Sequence, residues 1–475
     1  MVNRSKKNTK LKGGKPVEDA LCKEISTLTG HSGYLTSVAF HSTEPVLATG
    51  SWDKTANFWL ISSENPSTSP LLTLPGHKEC VDCVAFQPSG NLLATGSSDR
   101  TVKIWRFSPN ETYDECIDTL VGHTDKVVAV AFHPNGDILV TGSWDNTAKI
   151  WHYRSDRFQY ISNLTGHNGW VTSVAFHPNG QLIATGSNDN TAKVWLLRDN
   201  LSAVCVANLN GHTDWVVSVS FHPTTYLIAT GSWDNTVKLW HFVPNGPIDH
   251  NPVALLNRHT RSVTSVAFHP NGKYLASGSS DKTVRIWRLS RDLLNAECVD
   301  TFIAHISNVT SIAFHPNGKL LATGSSDKTA KIWDCSKIII LERRIEALTR
   351  ASLATKAIKE LTTENKKLSN AVQGRIGNPP DTLQNRQRQA EIVRKKYLGL
   401  LPRNPISFTQ CDSCRAADAE AAAWAEIDPQ YRVYFNEMSI SHCTNCPGVA
   451  EEVDTDEMPG GRMSRKKVKK MLSRH

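Results

Sequence analysis

The chain has 475 residues, of which 39% are hydrophobic, and a formal net charge of +8. This length can bury a large core with room for more than one domain, and the modest charge does not indicate a nucleic-acid binder overall. No apolar run approaches the ~18 residues of a membrane span, and the N-terminus is too polar for a secretory signal. We therefore expect a soluble protein of the cytoplasm, the nucleus or both, with no membrane partner. Its eleven cysteines, an odd number, argue against a disulfide framework.

The first segment, residues 1–20, contains six Lys and Arg side chains and several glycines. Such a composition cannot bury a core, so we predict a basic, disordered tail. The tail would either solubilise the protein or serve as a nuclear-import or RNA-contacting arm.

A unit of about thirty residues, Gly166 to Trp195, follows a pattern that recurs through most of the chain. It contains two runs of alternating apolar and small residues, VTSVAF and QLIATGS, which predict half-buried strands. The turn His177-Pro178-Asn179-Gly180 joins them, and Asn188-Asp189-Asn190 turns the chain into a third strand, TAKVW. Three strands cannot bury both faces alone, so the unit needs neighbours.

Seven copies of this unit occur at a spacing of 44 to 47 residues, each preceded by a further short strand. The recurring residues are His31, Asp53, Trp59, His77, Asp99, Trp105, His123, Asp145, Trp151, His167, Asp189, Trp195, His212, Asp234, Trp240, His259, Asp281, Trp287, His305, Asp327 and Trp333. Four strands per copy at a period near 45 predict an all-β, seven-bladed propeller of four-stranded antiparallel blades over residues 21–336.

On these residues the chain resembles the WD-repeat β-propeller family over roughly residues 21–335. Two copies depart from the pattern, because Arg258 and Ala304 replace the Gly that precedes the His. The resemblance implies a buried hydrogen-bond network of His, Ser or Thr, Asp and Trp in each blade. A catalytic triad would be needed once, whereas this set occurs seven times, so we predict that the protein is not an enzyme.

The last unit ends at Trp333 without an outer strand of its own. We predict that residues 23–29, KEISTLT, supply this strand and close the ring. The alternative is that Lys337 to Leu341, KIIIL, forms the last outer strand.

Residues that differ between the copies are the candidates for partner binding. They lie before the turn Asp and three residues after the His, in loops that the family resemblance places on the usual partner-binding end. The candidates are Tyr34, Trp52, Lys126, Trp144, Trp170, Trp215 and Trp233. Exposed aromatic clusters mark interaction sites. The alternative is that each Trp packs on its own blade.

From residue 337 to 373 the hydrophobic period changes to helical spacing. Ile338, Leu341, Ile345 and Leu348 begin an apolar seam that reaches Val372 and includes Asn365. A buried Asn fixes the register of parallel dimers, so we predict a coiled coil that self-associates through residues 338–372. The alternative is an amphipathic helix lying on the propeller. Residues 374–405 follow as a Pro-broken linker and a basic helix.

Residues 406–450 carry two CxxC pairs, Cys411 with Cys414 and Cys443 with Cys446. Four thiolates suit tetrahedral zinc, and a closed set of four ligands is structural, so zinc is the one cofactor that we predict. The alternative is unligated thiols. The tail, residues 451–475, is first acidic and then basic.

These features together predict a non-enzymatic scaffold that assembles a multiprotein complex through the propeller face and the C-terminal region. One alternative is a nucleic-acid-associated factor of RNA or DNA processing or chromatin, which would bind through the basic tails. Another is a substrate receptor of a ubiquitin ligase. Arg154 and Arg198 lie three residues after Trp151 and Trp195, but the Asp of the Trp-Asp-x-Arg motif of such receptors is absent.

Overall fold

A computed structural model of the protein describes residues 20–61, 69–107, 115–242 and 251–373. Strands β1 to β9 are Lys23–Thr29, Leu35–Phe40, Val46–Ser51, Ala56–Leu60, Leu72–Leu74, Val81–Phe86, Leu92–Ser97, Thr101–Arg106 and Glu115–Val121. Strands β10 to β18 are Val127–Phe132, Ile138–Ser143, Ala148–Arg154, Arg157–Leu164, Val171–Phe176, Leu182–Ser187, Thr191–Leu197, Ala203–Asn210 and Val216–Phe221. Strands β19 to β28 are Leu227–Ser232, Val237–His241, Ala254–Leu256, Val263–Phe268, Tyr274–Ser279, Thr283–Leu289, Ala296–Ile303, Val309–Phe314, Leu320–Ser325 and Thr329–Asp334, and helix α1 is Ser336–Gln373.

In the described part of the chain the strands form seven four-stranded antiparallel sheets, which confirms the predicted propeller. Blade 1 contains β2 to β5, blade 2 β6 to β9, and so on to blade 6, which contains β22 to β25. Blade 7 contains β26, β27, β28 and β1. The second strand of a blade is buried along its whole length in six of the seven blades, since it is covered on both faces by neighbouring blades.

Hydrophobic contacts join each blade to the next. One cluster combines Leu239 of blade 5 with Val263, Phe268 and Trp287 of blade 6. The blades approach so closely that a Cβ on Gly278 would lie 2.7 Å from a Val309 methyl group of blade 7. The regular recurrence of Gly in the second strands therefore reflects the short distance between blades rather than a turn.

Serine hydroxyls connect the innermost strands of neighbouring blades. Five such serines accept a hydrogen bond from a backbone N–H of the following blade, at 3.0–3.2 Å, and they are Ser37, Ser173, Ser218, Ser265 and Ser311. The equivalent residues are Cys83 in blade 2 and Ala129 in blade 3. The interfaces of blade 2 with blade 3, and of blade 3 with blade 4, therefore lack this serine bond.

On the end of the ring where the first and second strands of each blade meet, a second set of bonds joins the blades. The His41 Nε2–H donates to the Gly90 carbonyl at 2.9 Å, and the His269 Nε2–H donates to the Gly318 carbonyl at 2.8 Å. Gln87 replaces the histidine in blade 2 and binds the Gly136 carbonyl at 2.8 Å. These glycines have positive φ, and a Cβ on Gly90 would collide with the His41 ring. Gly90 is therefore required both by its backbone conformation and by the space available.

Strand β1 pairs with β28, from Lys23 opposite Asp334 to Thr29 opposite Thr329. The prediction that residues 23–29 close the ring is confirmed. The alternative strand Lys337–Leu341 is wrong, because these residues lie in α1.

A disulfide bond between Cys22 and Cys335, which are 313 residues apart in the sequence, lies beside this closure. Both residues are buried. The expectation that the chain has no disulfide framework is therefore corrected at this one place: the strand pairing of β1 with β28 brings the two thiols together, whatever the total cysteine number. Cys80, Cys83, Cys116, Cys205 and Cys298 are free in the described residues.

Helix α1 begins directly after Cys335, and its first turn belongs to the compact unit that ends at Leu341. Ile338 is fully buried there against Cys22, Trp333 and Cys335. Ile338 is therefore not available to a helix–helix seam, and the predicted seam is wrong at its first position. Leu348 is 71% exposed. Neither α1 nor any other part of the described chain forms a helix with the length and apolarity that a membrane crossing needs.

The first prediction concerns the Cys22–Cys335 bond. A disulfide that closes a long loop stabilises a fold by about 2–4 kcal/mol. We expect Cys335→Ser to lower the midpoint of thermal unfolding, measured at a fixed scan rate, and a reductant to lower the midpoint of the unaltered protein to the same value. The control is Cys205→Ser, which changes an exposed free thiol. Equal midpoints for all three proteins with and without reductant would show that the bond adds nothing.

Candidate partner-binding face

Each blade contains a chain of side-chain hydrogen bonds that begins at its tryptophan. In blade 1 the Trp59 Nε1–H donates to the Thr49 hydroxyl at 2.8 Å, and that hydroxyl donates to His31 Nε2 at 2.8 Å. The His31 Nδ1–H then donates to the Asp53 carboxylate at 2.8 Å. A carboxylate only accepts, so the His31 Nδ1 carries the proton of its bond to Asp53, and in this tautomer Nε2 accepts from the Thr49 hydroxyl.

The same chain is present in all seven blades, with His Nδ1 to Asp distances of 2.6–2.9 Å. The hydroxyl belongs to Thr in six blades and to Ser277 in blade 6. Each hydroxyl already has its donor and acceptor, and each His is buried. The network therefore orders the turn around each Asp, and it leaves no free nucleophile or base.

The turn aspartates are charged and tightly held. Burial alone would raise the pKa of Asp189, but hydrogen bonds from His167 and Thr191 hold that pKa well below its usual range. The carboxylate also accepts the backbone N–H of Asn168 at 3.0 Å. The other six turn aspartates are held in the same way.

These rigid turns display the residues that differ between blades. The backbone N–H of Trp144 donates to the Lys126 carbonyl at 3.0 Å, and that of Trp233 donates to the Trp215 carbonyl at 2.9 Å. The Trp52 N–H donates to the Tyr34 carbonyl in the same way. The residue before each turn Asp thus lies beside the residue three positions after the His. We call this end of the ring the aspartate face.

Four tryptophans on blades 3, 4 and 5 form one continuous stack, here called the tryptophan ladder. Trp144 and Trp170 are parallel, with ring centroids 4.0 Å apart and an interplanar angle of 5°. Trp170 meets Trp215 edge-on at 5.5 Å, and Trp215 stacks on Trp233 at 4.2 Å. The Lys126 Nζ lies 4.6 Å from the Trp144 ring centroid and ends the ladder on blade 3.

The remaining two candidates form a separate pair on blade 1. Tyr34 and Trp52 lie 5.1 Å apart with an interplanar angle of 45°. Tyr34 is 44% and Trp52 is 54% exposed. The candidate residues therefore divide into a ladder and a pair, and both the binding and the packing interpretations have a structural basis, since the ladder rings touch each other.

The sequence profile of the family described as "WD domain, G-beta repeat" matches seven segments that together cover more than half of the chain. They are residues 22–59, 68–106, 114–152, 158–195, 203–241, 250–288 and 296–334. The chain belongs to the WD-repeat family. Each WD repeat here combines the outer strand of one blade with the three inner strands of the next, which is why β1 of the first repeat completes blade 7.

A second comparison gives a short similarity to one curated protein. Over 47 residues the chain is 45% identical to the "Periodic tryptophan protein 2 homolog" of Schizosaccharomyces pombe (strain 972 / ATCC 24843). This stretch is 10% of the present chain and 6% of that protein, so the chain spans only a small part of the relative's length.

Two features of this WD-repeat ring were missed in the sequence. The second histidines, such as His41 and His269, were assigned only to turns, although five of the six bind a backbone carbonyl of the next blade. Their regular recurrence directly after the Phe of each first strand was the available signal. The Cys22–Cys335 pair carried no sequence signal, because each cysteine lies alone.

Several predicted elements lie outside the described residues. They are the basic tail 1–19, the linker and basic helix at 374–405, the cysteines Cys411, Cys414, Cys443 and Cys446, and the charged tail 451–475. Within the described chain, no group of three or more His, Cys, Asp or Glu side chains is placed to hold a metal ion.

The second prediction concerns the buried network. We expect Asp189→Ala to lower the free energy of unfolding by about 2 kcal/mol, since it leaves the His167 Nδ1–H and nearby backbone donors without their acceptor. Asp199→Ala, at an exposed loop position, is the control. Thermal unfolding of both variants measures the difference, and equal midpoints would contradict the prediction.

The same network sets the pH dependence of stability. The turn aspartates have lowered pKa values in the folded state and a pKa of about 3.9 when unfolded. Their contribution is therefore complete above the unfolded pKa and is lost as the pH falls below about 4. Asp189→Ala should consequently lose less stability on acidification than the unaltered protein.

Proposed function

We propose that the protein is a non-enzymatic scaffold that binds partner proteins on the aspartate face of its propeller. The tryptophan ladder carries this proposal. WD-repeat propellers provide the architecture, and the ladder distinguishes blades 3 to 5 of this chain from the other four blades.

Energetics support the ladder as a binding surface. Truncation of a tryptophan side chain at the centre of an interface commonly lowers the binding free energy by about 2 kcal/mol or more, which is about thirtyfold in affinity. Here they are held in fixed positions by each other and by turns whose aspartates are fully hydrogen-bonded, so little conformational entropy is lost on binding. The varied residues are also the ones that give a repetitive ring a preferred direction of approach.

Packing is the competing role for the same rings. An aromatic pair contributes about 0.5–1.5 kcal/mol beyond its buried area. Loss of one ladder ring would therefore destabilise a seven-bladed propeller slightly, whereas it would weaken a partner interaction strongly. Measurements of stability and of binding on the same variants separate the two roles.

The C-terminal region adds further proposed contacts. Self-association through residues 338–372 would bring two propellers together, with the seam beginning after the buried Ile338. The zinc module at residues 406–450 would add a second protein-binding element. A location in the cytoplasm, the nucleus or both accords with this role.

The third prediction tests the scaffold. We expect Trp170→Ala and Trp215→Ala each to reduce the recovery of partner proteins about tenfold or more in affinity purification followed by mass spectrometry. Their unfolding midpoints should change little. Tyr160→Ala is the matched control, since Tyr160 is 51% exposed on an outer strand away from the aspartate face. If the two Trp variants unfold early and still recover every partner, the ladder is a packing element.

The fourth prediction concerns zinc. We expect the purified full-length protein to contain about one zinc ion per chain by elemental analysis, because two CxxC pairs supply four thiolates. Cys411→Ser combined with Cys446→Ser should remove the metal without changing the unfolding of the propeller. A metal-free unaltered protein, purified without chelator, would contradict the zinc module.

A further inference from the structure

Trp233 is the one ladder ring with a broad exposed surface. Trp215 of the same blade covers one face at 4.2 Å, and Trp233 remains 41% exposed. Trp144 occupies the same position in blade 3, where Lys126 covers one ring face at 4.6 Å and Trp170 of blade 4 covers the other at 4.0 Å. An ammonium group and an indole at these distances cannot share a face, so Trp144 is covered on both sides.

The internal repeat explains the difference. Ser262 of blade 6 holds the position that Trp170 holds in blade 4. The Ser280 N–H donates to the Ser262 carbonyl at 2.9 Å, as the Asn188 N–H donates to the Trp170 carbonyl at 3.1 Å, so the two backbones agree. A serine side chain ends at one hydroxyl. Trp170 fills this place beside Trp144, two blades earlier. Beside Trp233 the place is open among the described residues, and we call it the Trp233 slot.

Exposed cations lie on blade 6, which carries Ser262, and on the blades that follow it around the ring. The residue after each turn Asp has φ of 66–74° in all seven blades. In blades 3, 4 and 5 this residue is Asn, which tolerates the left-handed region, but in blades 6, 7, 1 and 2 it is Lys282, Lys328, Lys54 and Arg100. All four are exposed. Arg261, next to Ser262, is exposed as well.

These cations carry most of the surface charge of the aspartate face on blades 6 and 7. The turn aspartates beside them have side chains only 6–12% exposed and are enclosed by His and Thr donors. In the described residues Lys54 has a carboxylate neighbour, Glu79 at 3.7 Å, whereas Arg261, Lys282 and Lys328 form no ion pair. Blades 6 and 7, which follow Trp233 around the ring, thus carry three exposed cations on the aspartate face.

We propose that the Trp233 slot takes an aromatic side chain of a partner protein and that acidic residues next to it contact Arg261, Lys282 and Lys328. This inference rests on the proposed function, since it names the chemistry of the partner at the aspartate face. A planar ring can stack on the open indole face as Trp170 stacks on Trp144. Carboxylates would meet three cations that form no ion pair within the part of the chain that the structure describes.

Two other occupants fit less well. A basic side chain on Trp233 would imitate Lys126 on Trp144, but Arg261 and Lys282 on the adjoining blade would repel it. Single-stranded nucleic acid uses successive aromatic faces for successive bases. The ladder rings cover one another, so they do not offer such a series, and a protein segment is the better match.

Binding of short fluorescent peptides to the full-length protein, measured by anisotropy, tests the proposal. One peptide has a single Phe among Asp and Glu residues, a second has Ala in place of Phe, and a third has Lys in place of the acids; oligouridylate is the nucleic-acid probe. We expect the first peptide to bind about tenfold more tightly than any other probe, with an affinity that falls as salt rises.

The decisive variant is Ser262→Trp, which fills the slot with the chain's own ring, as in blade 4. It should weaken the first peptide about tenfold or more while the protein unfolds normally, and Trp233→Ala should do the same. Asn308→Trp is the matched control, because position 308 is the equivalent position of blade 7, and blade 6 before it has Ser280 at the position that Trp233 holds in blade 5. Lys282→Glu with Lys328→Glu should reduce affinity and salt dependence, whereas Lys319→Glu, on the opposite end of the ring, should change neither.

Three results would overturn the proposal: no measurable binding of the first peptide, tighter binding of the basic peptide or oligouridylate, or equal affinity of Ser262→Trp and Asn308→Trp. The scaffold proposal is tested separately by partner recovery. If Trp170→Ala and Trp215→Ala lose partners while Ser262→Trp retains them, the scaffold stands and the Trp233 slot is wrong.

Discussion

The hydrogen bonds between β1 and β28 join the two ends of the repeat array, and the other blade interfaces depend on that closure. Without β1, blade 7 would lack its outer strand and β28 would present an unpaired edge. An open array would also leave the hydrophobic faces of blades 1 and 7 uncovered, because each WD repeat buries its core only between two neighbours. The Cys22–Cys335 bond lies next to Lys23 and Asp334, the first residue pair between β1 and β28. The strand pairing and the disulfide therefore constrain the same end of the closure.

Repetition and variation have separate physical roles in this ring. The His–Asp–Trp network recurs in every blade because each blade must hold the same turn against its own third strand, and an unsatisfied donor there would cost about 1–3 kcal/mol. A feature that recurs in all seven blades cannot distinguish one blade from another. The residues beside each Asp carry that information: they divide the aspartate face into an aromatic part on blades 3 to 5 and a cationic part on blades 6, 7, 1 and 2. Chain closure makes the cationic part continuous from blade 7 to blade 1.

The fold was largely predictable because its signals are periodic. Residues 23–29 were identified as the closing strand by counting outer strands against three-strand units. The site was predictable in part, because the loop positions identified Trp144 and Trp233. Whether each ring is covered depends on a residue of the next blade, which is Trp170 beside Trp144 and Ser262 beside Trp233. That contact between blades exists only in the folded ring. The Cys22–Cys335 pair was missed because the two cysteines become neighbours only when β1 pairs with β28 in the folded ring. Ile338 fits a helical repeat by spacing, yet its position directly after the last strand places it in the propeller core.

The ladder also has a place in the mechanics of the ring, which helps to decide what each tryptophan can offer a partner. Blade 3 has Ala129 where five other blades have the serine that binds the next strand, so the interface of blades 3 and 4 lacks a hydrogen bond of about 1 kcal/mol. The Trp144–Trp170 stack crosses the same interface and contributes a similar amount, about 0.5–1.5 kcal/mol beyond burial. Rings that join two blades in this way are fixed in position. Trp144 and Trp170 are half-buried, whereas Trp233, supported from one side by Trp215, is the most exposed of the four ladder rings.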